Sequence, residues 1–375
     1  MKRFPRSKWE LSDNTIREFM TDESWPKAQK FRDKNNGWTF EPLGRKPRGN
    51  GINAMALNPG ATCRNGSVAS DVVEAMSRRN GGQETAMMIA VIGATGNTGR
   101  AVVKELQALG QNPVCVVRNA VKAREVLGAD AKTAVAELTD RPALEKALAG
   151  VQSVFVVTGH NPSMVEQQNN VLDAALEAGV LYLVRVSASR FLIAPDSPSI
   201  IGRGHYAIEE RLRGSGIKWV ILRPGLFMQN TFAQAASIKN DSKIVLPFAA
   251  DLPLAFIDVR DTGAVGARVL LDPVPYLDKI YEFTGVLSNF AEFADVFSQV
   301  LGRKITYVAA TAEQAEQAMK ARGVPDWLIT HQLTAAHIAA EGALSTEKTE
   351  SIRNIVHRAP ITTKQFVEDF KALFS

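Results

Sequence analysis

Short apolar runs alternate with amphipathic segments along the chain between residues 87 and 225. The apolar runs are four to six residues long, which is typical of strands buried on both faces of a parallel sheet. They lie at Met88–Ile92, Pro113–Val117, Thr133–Ala136, Val154–Val157, Leu181–Val186 and Trp219–Leu222. The segments between them place apolar residues at helical spacing, which predicts helices at Arg100–Leu109, Val121–Leu127, Pro142–Leu148, Met164–Glu177 and Ile201–Arg213. Strands that alternate with helices favour right-handed crossovers, so the sequence predicts an α/β fold with a doubly wound parallel sheet.

Past residue 225 the alternation becomes less regular. Strands are predicted at Leu252–Ile257, Lys279–Phe283 and Lys304–Val308, and helices at Phe290–Leu301, Ala312–Arg322, Trp327–Ala340 and Thr362–Phe374. This pattern predicts a small, mostly helical C-terminal substrate domain packed over the carboxyl edge of the sheet. The sequence therefore divides into a sheet domain at 87–225 and a smaller substrate-binding region at 226–375. The final strand of the large sheet is expected to return near residues 254–260.

Residues 1–86 have a different texture, with frequent turn signals such as Trp25-Pro26 and Asn58-Pro59-Gly60 and no sustained periodicity between them. A short helix is predicted at Asp13–Met20. We interpret the segment as a poorly structured N-terminal extension. The alternative is that it is not native coding sequence and that Met87 or Met88 is the true start.

The net charge of +5 lies in this N-terminal segment. Residues 1–86 contain 15 lysines and arginines against 10 acidic residues, whereas residues 87–375 carry equal numbers of basic and acidic residues. A folded body without net charge has no general attraction for phosphate polymers, so nucleic acid is not an expected partner.

The two cysteines, Cys63 and Cys115, lie too far apart in sequence to indicate a disulfide framework or a metal site. A reducing, cytoplasmic compartment is therefore predicted. No apolar run approaches the roughly 20 residues of a membrane helix, and the basic start of the chain lacks the apolar stretch of a secretory signal. The expected partner is a small molecule, and a homodimer is possible.

A glycine-rich loop, Gly93–Gly99, follows the first predicted strand and reads GATGNTG. Glycines at this spacing permit a tight turn, a close backbone approach to a pyrophosphate, and close packing of helix on strand. The helix that begins near Asn97 directs the positive end of its dipole at an anion bound there. A lone glycine triplet is weak evidence, but this one follows an apolar strand and opens an amphipathic helix. We therefore expect a Rossmann-type domain that binds a nicotinamide dinucleotide, and a merely structural turn is the alternative.

The end of the second predicted strand bears on the choice between NAD and NADP. NAD-binding domains usually carry an acidic residue there, which hydrogen-bonds to the ribose 2′-hydroxyl. Arg118 occupies this place, and no carboxylate occurs between it and Glu125. Arg100, Lys122 and Arg124 add positive charge nearby in sequence. A guanidinium matches a phosphate in a bidentate way, so NADP is expected in preference to NAD. The alternative is that Arg118 only caps a solvated strand end.

Several segments together resemble the NmrA-like family of atypical short-chain dehydrogenases/reductases. They are the glycine loop, Val116–Asn119, Arg223–Asn230, Phe256–Asp261 and Tyr281–Gly285. Within the family, the chain looks most like the branch of type 2 NAD(P)H:quinone oxidoreductases and triphenylmethane reductases. The resemblance runs from about Met88 to the end of the chain, and it implies a Rossmann domain, a small C-terminal domain and a cleft between them.

The resemblance also implies which residues form the site. The implied cofactor contacts are Gly93, Thr95, Gly96, Asn97, Thr98, Gly99, Arg118, Glu137, Leu138, Val157, Thr158 and Gly159. Among these, Glu137 and Leu138 fall where the adenine is held. Phe227 and Asn230 face the nicotinamide side and are the implied substrate contacts. No metal ligands are implied.

Ordinary short-chain dehydrogenases use Tyr-x-x-x-Lys, in which the lysine lowers the pKa of a tyrosine acid. The matching helix here has Tyr206 followed by Glu210, and a carboxylate would raise the pKa of the phenol. NmrA-like proteins also lack the lysine, and the resemblance implies that their redox-active members pass a hydride directly to a flat, electron-poor acceptor. We therefore expect an NAD(P)H-dependent reductase of quinone-like or other conjugated acceptors. The alternative is a non-catalytic NAD(P) sensor, because the absence of the Tyr-Lys pair is compatible with both a reductase and a sensor. A sugar- or isoflavone-type reductase is disfavoured by the absent lysine.

Two polar side chains are candidates for a catalytic role. His205 lies at the cleft position and could donate a proton to a reduced quinone oxygen, because the pKa of histidine is near working pH. Ser187 ends the fifth predicted strand, and ligands bind at the carboxyl ends of strands in open α/β sheets. The alternatives are a polar cleft residue without a catalytic role and an ordinary turn serine.

The remaining candidates have less specific signals. Phe227, Met228 and Phe232 could form an apolar wall against an aromatic acceptor, or they could be plain core. The other histidines show no metal-ligand spacing and are predicted to be surface or helix residues: His160, His331, His337 and His357.

Overall fold

Seven parallel strands form the main sheet of the region that the structure describes. The computed structural model describes residues 87–342 and 350–375. The strands are β1 (Ile89–Ile92), β2 (Val114–Val117), β3 (Thr133–Val135), β4 (Ser153–Val156), β5 (Tyr182–Val186), β6 (Lys218–Pro224) and β10 (Lys279–Phe283). Their order is β10-β6-β5-β4-β1-β2-β3, and each pairing is parallel. The chain reverses its winding direction at β1, which places the topological switch point at the carboxyl end of that strand.

Two helical layers cover the sheet, as predicted for a doubly wound α/β fold. One layer contains α1 (Asn97–Ala108), α2 (Ala120–Leu127), α7 (Val259–Leu271) and α11 (Ser351–Val356), and the other contains α3 (Arg141–Leu148), α4 (Met164–Glu177) and α5 (Ile200–Arg213). Successive residues of a strand point to opposite layers. In β1, Ile89 and Val91 pack under the first layer, and Ala90 and Ile92 pack under the second. The entire strand is buried, which explains its unbroken apolar run.

Helix α7 lies directly on α1, and the sequence interpretation includes no helix at this position. A Cβ atom on Gly263 would lie 2.7 Å from the Cβ of Ala101, and one on Gly266 would lie 2.6 Å from the Phe155 ring. The two glycines therefore let α7 approach its neighbours more closely than any other residue would. The same glycines weaken a helical pattern in the sequence, because glycine is a poor helix former.

A second group of elements forms its own core rich in phenylalanine. Two small sheets belong to it, built from β7 (Leu226–Phe227), β8 (Lys243–Leu246), β9 (Leu254–Ile257), β11 (Val286–Ser288) and β12 (Thr306–Ala309). Its helices are α6 (Ala235–Asp241), α8 (Phe290–Leu301), α10 (Asp326–Ala340), α12 (Thr363–Asp369) and α13 (Lys371–Phe374). Helix α9 (Ala312–Ala321) packs on α10 in a small separate cluster. Phe256, Phe293, Phe297, Phe366 and Phe374 are fully buried in this core.

The C-terminal half departs from the sequence interpretation in three respects. The final strand of the large sheet was expected near residues 254–260, and this is wrong: β9 lies in the three-stranded sheet β11-β9-β7, and β10 extends the large sheet. The boundary at residue 225 assigns α7, β10 and α11 to the substrate region, whereas they pack against the large sheet. The single predicted helix Thr362–Phe374 is divided at Phe370 into α12 and α13. A short apolar strand fits either sheet, so its pattern does not reveal which one it joins.

The predicted N-terminal extension, including the helix at Asp13–Met20, lies outside the described residues. Within the described ranges, no helix has the length and apolar character needed to cross a bilayer.

Candidate active site

Two glycines of the loop between β1 and α1 are required by packing within the protein. Gly93 has a φ of +77°, and a Cβ atom there would lie 1.9 Å from the carbonyl oxygen of Val157. A Cβ atom on Gly99 would lie 2.1 Å from the carbonyl oxygen of Gly93. Both contacts are shorter than any real Cβ contact, so these two glycines hold the loop close to β4 and to the first turn of α1.

Gly96 is different, because the protein itself leaves room for a side chain there. Its φ of −75° and ψ of 168° suit any residue, and a Cβ atom would come no closer than 3.4 Å to the Gly93 carbonyl oxygen. Gly96 is also the N-cap of α1, and it has no side chain with which to cap the first-turn amides. Thr95, Gly96 and Asn97 are exposed. The backbone therefore presents a bare, positively polarised surface at the carboxyl edge of the sheet.

The other predicted cofactor residues lie at the carboxyl ends of neighbouring strands. Arg118 follows β2 and is exposed, and the next residue, Asn119, caps α2 through the amide of Lys122. After β3, Glu137 is exposed and Leu138 is half-buried.

The segment after β4 borders the same edge. Val157 is half-buried beside Gly93. The hydroxyl of Thr158 accepts a hydrogen bond of 2.8 Å from Nε2 of Gln168, and Gly159 is exposed. The structure thus brings all the predicted cofactor residues to one edge, in the order of their strands.

Behind the carboxyl ends of β4 and β5 lies a buried polar cluster centred on Arg185. This side chain is 1% exposed although it carries a charge. Its Nε donates to Oε1 of Gln168 at 2.7 Å, its Nη2 lies 2.8 Å from Nδ1 of His205, and its Nη1 lies 3.8 Å from Glu209. The Ser187 hydroxyl donates to Oε1 of Glu209 at 2.5 Å and lies 3.3 Å from Nδ1 of His205. Ser187 and His205 therefore lie within contact distance of each other, inside the fold rather than at an open cleft.

Glu209 is shared with a second arginine. Arg223 at the end of β6 donates to both oxygens of Glu209, and its Nη1 contacts Glu282 at 3.3 Å. Glu282 also lies 3.5 Å from Arg190. Because a buried charge is costly unless it is paired, this chain of alternating charges accounts for the presence of Arg185 and Glu209 inside the fold. Burial nevertheless lowers the pKa of Arg185 to about 10.

His205 is 4% exposed, and its environment keeps it neutral. Burial, followed by the positive charge of Arg185, holds the pKa of His205 well below its ordinary value. The expectation that this histidine has a pKa near working pH is therefore wrong, because desolvation and a neighbouring cation both disfavour the imidazolium. Since a guanidinium has no acceptor atom, Nδ1 of His205 must accept from Arg185 and the proton of the neutral ring resides on Nε2.

Two further histidines complete the cluster. Nε2 of His160, two residues after Thr158, lies 3.4 Å from Nε2 of His205. The ring of His331 on α10 packs edge-on against His160 at 4.9 Å, and its Nδ1 is 2.8 Å from the hydroxyl of Ser199, which caps α5. His331 lies on a helix, which is one of the two places predicted for it, and it is buried rather than on the surface. Burial lowers its pKa to about 4. His160 itself reaches the surface, but desolvation of its ring, followed by the positive charge of Arg185, lowers its pKa.

The predicted acceptor residues lie outside this cluster. Phe227 is half-buried and packs against the large core, and Asn230 is exposed. Met228 is fully buried core, and Phe232 packs against the rings of Phe366, Phe370 and Phe374.

A cavity of about 480 Å³ runs along α1 beside the glycine loop. Its lining includes Asn97, Arg100, Lys104, Phe232, Arg260 and Phe370. None of the residues of the polar cluster contributes to it, so this groove and the cluster are separate features.

Sequence reasoning missed Gln168, Arg185 and Glu209. One signal was available, because Arg185 interrupts the apolar run Leu181–Val186, and a charge within a buried strand must find a partner. Gln168 and Glu209 lie on ordinary amphipathic helices and give no such signal. The meeting of His160, His205 and His331 depends on elements far apart in sequence, and only the fold brings them together.

Comparison with known proteins gives consistent matches. The profile of the NmrA-like family matches residues 85–353. The chain is 37% identical to an NAD(P)H azoreductase from Xenophilus azovorans over 243 residues, which is 64% of this chain and 83% of the relative. It is 33% identical over 239 residues to a (4-alkanoyl-5-oxo-2,5-dihydrofuran-3-yl)methyl phosphate reductase from Streptomyces griseus, covering 64% of this chain and 82% of that protein. The solved NADPH complex of the Escherichia coli quinone oxidoreductase QOR2 aligns with a TM-score of 0.67 and 26% identity, covering 76% of this chain and 100% of that one.

Proposed function

We propose, because this chain belongs to the NmrA-like family, that it is an NAD(P)H-dependent reductase of quinone-like or other conjugated acceptors. The observation that carries the proposal is the bare backbone at Gly96, where the protein leaves space for a side chain at the start of α1 and the sequence supplies none. Similarity to an NAD(P)H azoreductase and to an NADPH-dependent quinone oxidoreductase supports the acceptor class.

The residues at the sheet edge fit a dinucleotide. The first-turn amides of α1 would bind the pyrophosphate, because helix N-termini favour anions and glycine allows close approach. Glu137 and Leu138 would border the adenine, and Val157, Thr158 and Gly159 would line the cofactor after β4. Bound there, the cofactor supplies a hydride from its dihydronicotinamide ring.

NADP is the proposed preference over NAD. Arg118 is exposed at the end of β2, where a 2′-phosphate would lie, and the sequence has no carboxylate between Arg118 and Glu125. A carboxylate at this place would repel the phosphate, whereas a guanidinium can bind it through two hydrogen bonds.

Ser187 and His205 support the site from behind rather than touch an acceptor. The Ser187 hydroxyl already donates to Glu209, and both side chains are buried. We therefore assign positioning roles to both. Phe227 and Asn230 are the proposed acceptor contacts, and no residue of the Tyr-x-x-x-Lys type is needed when the acceptor is electron-poor and the two partners are held in contact.

A turnover screen tests the proposal. The full chain would be mixed with NADPH or NADH and then with a naphthoquinone, an azo dye or a triphenylmethane dye, while absorbance of the reduced cofactor is followed. We expect acceptor-dependent oxidation, faster with NADPH. Tight cofactor binding without turnover on all three acceptor types would overturn the reductase and favour a sensor, and failure to bind either cofactor in calorimetry would overturn both.

The proposed partner is thus a small-molecule acceptor. A cytoplasmic location and a homodimer stay predictions of the sequence.

A further inference from the structure

Behind the proposed cofactor site, Arg185, His205 and His160 form an ordered chain of hydrogen-bonding atoms. Arg185 fixes Nδ1 of His205 as an acceptor, so the neutral His205 ring carries its proton on Nε2. That N–H faces Nε2 of His160 at 3.4 Å, with the two rings nearly perpendicular at 83°. His160 must therefore accept at Nε2, and its own proton resides on Nδ1.

His160 is the member of this chain that reaches the surface. His205 and His331 are 4% and 8% exposed, whereas His160 is exposed and follows Thr158 and Gly159 at the carboxyl end of β4. Its Nε2 is directed inward to His205. Nδ1 is thus the nitrogen available to a ligand beside the segment that we assign to the cofactor.

We propose that neutral His160 donates a hydrogen bond through Nδ1 to the oxygen or nitrogen atom of the acceptor that becomes negatively charged during reduction. This inference rests on the proposed function. The acceptor gains a hydride at one atom, the electron pair of its double bond moves to the heteroatom, and a proton from water completes the two-electron reduction. The dinucleotide is oxidised in the same step. A fixed donor aimed at the developing charge stabilises the transition state without itself losing a proton.

The surroundings of His160 suit an uncharged donor better than an acid. The titratable groups that face it are Arg185 from β5, His205 from α5 and His331 from α10. Two of these described groups are neutral imidazoles and the third is a cation, so none of them stabilises an imidazolium. Desolvation of the ring, followed by the positive charge of Arg185, lowers the pKa of His160 and so favours the neutral ring.

Substitutions of His160 distinguish the two nitrogens. An asparagine amide reaches the position of Nδ1, and a glutamine amide reaches that of Nε2. We expect His160→Ala and His160→Gln to lower kcat with a naphthoquinone on the order of 100-fold, with unchanged affinity for NADPH. His160→Asn should recover much of the loss. His337→Ala is the matched control, because His337 lies on α10, is 54% exposed and pairs only with Glu341 among the described residues.

Two further readouts do not depend on comparing variants. The kcat of the unmodified protein should not decline between about pH 6.5 and 8.5, whereas a charged histidine acid would lose activity as pH rises. Long-range proton–nitrogen NMR should report the Nδ1–H tautomer for His160 and the Nε2–H tautomer for His205.

The outcomes separate this inference from the proposed function. Turnover that is unaffected in His160→Ala, or an Nε2–H tautomer at His160, would overturn the role of His160 and leave the reductase intact. Absence of turnover in the unmodified protein with every acceptor would overturn both.

Discussion

Nη2 of Arg185 and Nδ1 of His205 lie 2.8 Å apart, and this contact determines which nitrogen of a buried histidine carries the proton. A guanidinium can only donate, so His205 must be neutral at Nδ1. Through the opposite nitrogen of the ring, the same contact orients His160 at the sheet edge. A buried ion cluster thereby determines the hydrogen-bonding direction of an exposed side chain.

Replacing Arg185 by methionine tests this relationship. Arg185→Met keeps most of the side-chain volume but removes the hydrogen bonds to Gln168 and His205. Because Glu209 keeps Arg223 as a partner, we expect a loss of about 2 kcal/mol in the free energy of unfolding rather than the larger cost of an orphaned charge. The pKa of His205 should rise, since a neighbouring cation is gone. Urea unfolding and NMR titration of the histidine measure the two effects.

The matched control is Arg211→Met, which removes a bridge between Arg211 and Asp173 on the surface, where both side chains are partly exposed. Exposed pairs contribute little, so its effect should stay within about 1 kcal/mol. Equal losses in the two variants would contradict the importance of the buried cluster.

Because of the buried histidines, we expect the free energy of unfolding to decrease at acidic pH. Burial lowers the pKa of His331 to about 4 and that of His205 well below its ordinary value. The unfolded chain binds protons near pH 6.5, whereas the native chain does not, so each histidine costs stability as pH drops below about 6.5. The slope approaches 1.4 kcal/mol per pH unit for each group. Urea unfolding at about pH 7.5, 6.5 and 5.5 should show a small decrease in stability over the first interval and a clearly larger decrease over the second.

His331→Asn should reduce this pH dependence, because an asparagine amide can keep the contact with Ser199 at the position of Nδ1 but does not titrate. His337→Asn, on the exposed side of the same helix, should leave the dependence unchanged. If the two variants behaved alike, the buried histidines could not be its source.

The sequence predicted the alternating elements well, because each one satisfies local rules. Helix Met164–Glu177 and strand Lys279–Phe283 have the bounds that their patterns indicate. The partner of a strand is a different question, since an apolar run such as Leu254–Ile257 carries no information on which sheet it joins. Helix α7 was missed because Gly263 and Gly266, which break its pattern, serve close packing against α1 and Phe155.

The candidate site divides in the same way. The loop Gly93–Gly99 could be found because its chemistry is local, with glycines at fixed spacing between a strand and a helix. The polar cluster could not, because His205 meets His160 across 45 positions of sequence and His331 is brought in from α10. The pKa of a histidine also depends on burial and neighbours, which a sequence motif does not contain.

Gly93 and Gly96 should respond differently to alanine. Gly93→Ala places a Cβ atom against Val157 at a φ of +77°, so we expect a loss of several kcal/mol in stability or failure to fold. Gly96→Ala has a permissive backbone and an ordinary contact, so stability should change by less than about 1 kcal/mol.

Gly96→Ala should fold normally and yet bind the cofactor more weakly than the unmodified protein. A methyl group on Gly96 would stand where the pyrophosphate approaches the amides, and we expect NADPH binding to weaken at least about 10-fold. Calorimetry with NADPH, alongside urea unfolding, measures both quantities. Normal affinity in Gly96→Ala or in the bulkier Gly96→Val would refute the assignment of the phosphate site.

Arg118 provides the test of cofactor preference. If its guanidinium binds the 2′-phosphate, Arg118→Ala should weaken NADPH binding about 10-fold, which corresponds to one or two charge-assisted hydrogen bonds at an exposed site. Affinity for NADH should stay the same, because NADH lacks the phosphate. Arg141→Ala is the control, since Arg141 is an exposed arginine at the start of α3 that pairs with Glu145. Fluorescence titration of the unmodified protein and of Arg118→Ala, each with NADPH and with NADH, measures the four affinities.

Raising the salt concentration should reduce the difference in affinity between NADPH and NADH in the unmodified chain, because an exposed ion pair is screened. Equal losses of affinity for NADPH and NADH in Arg118→Ala would mean that Arg118 stabilises the strand end and does not bind the 2′-phosphate.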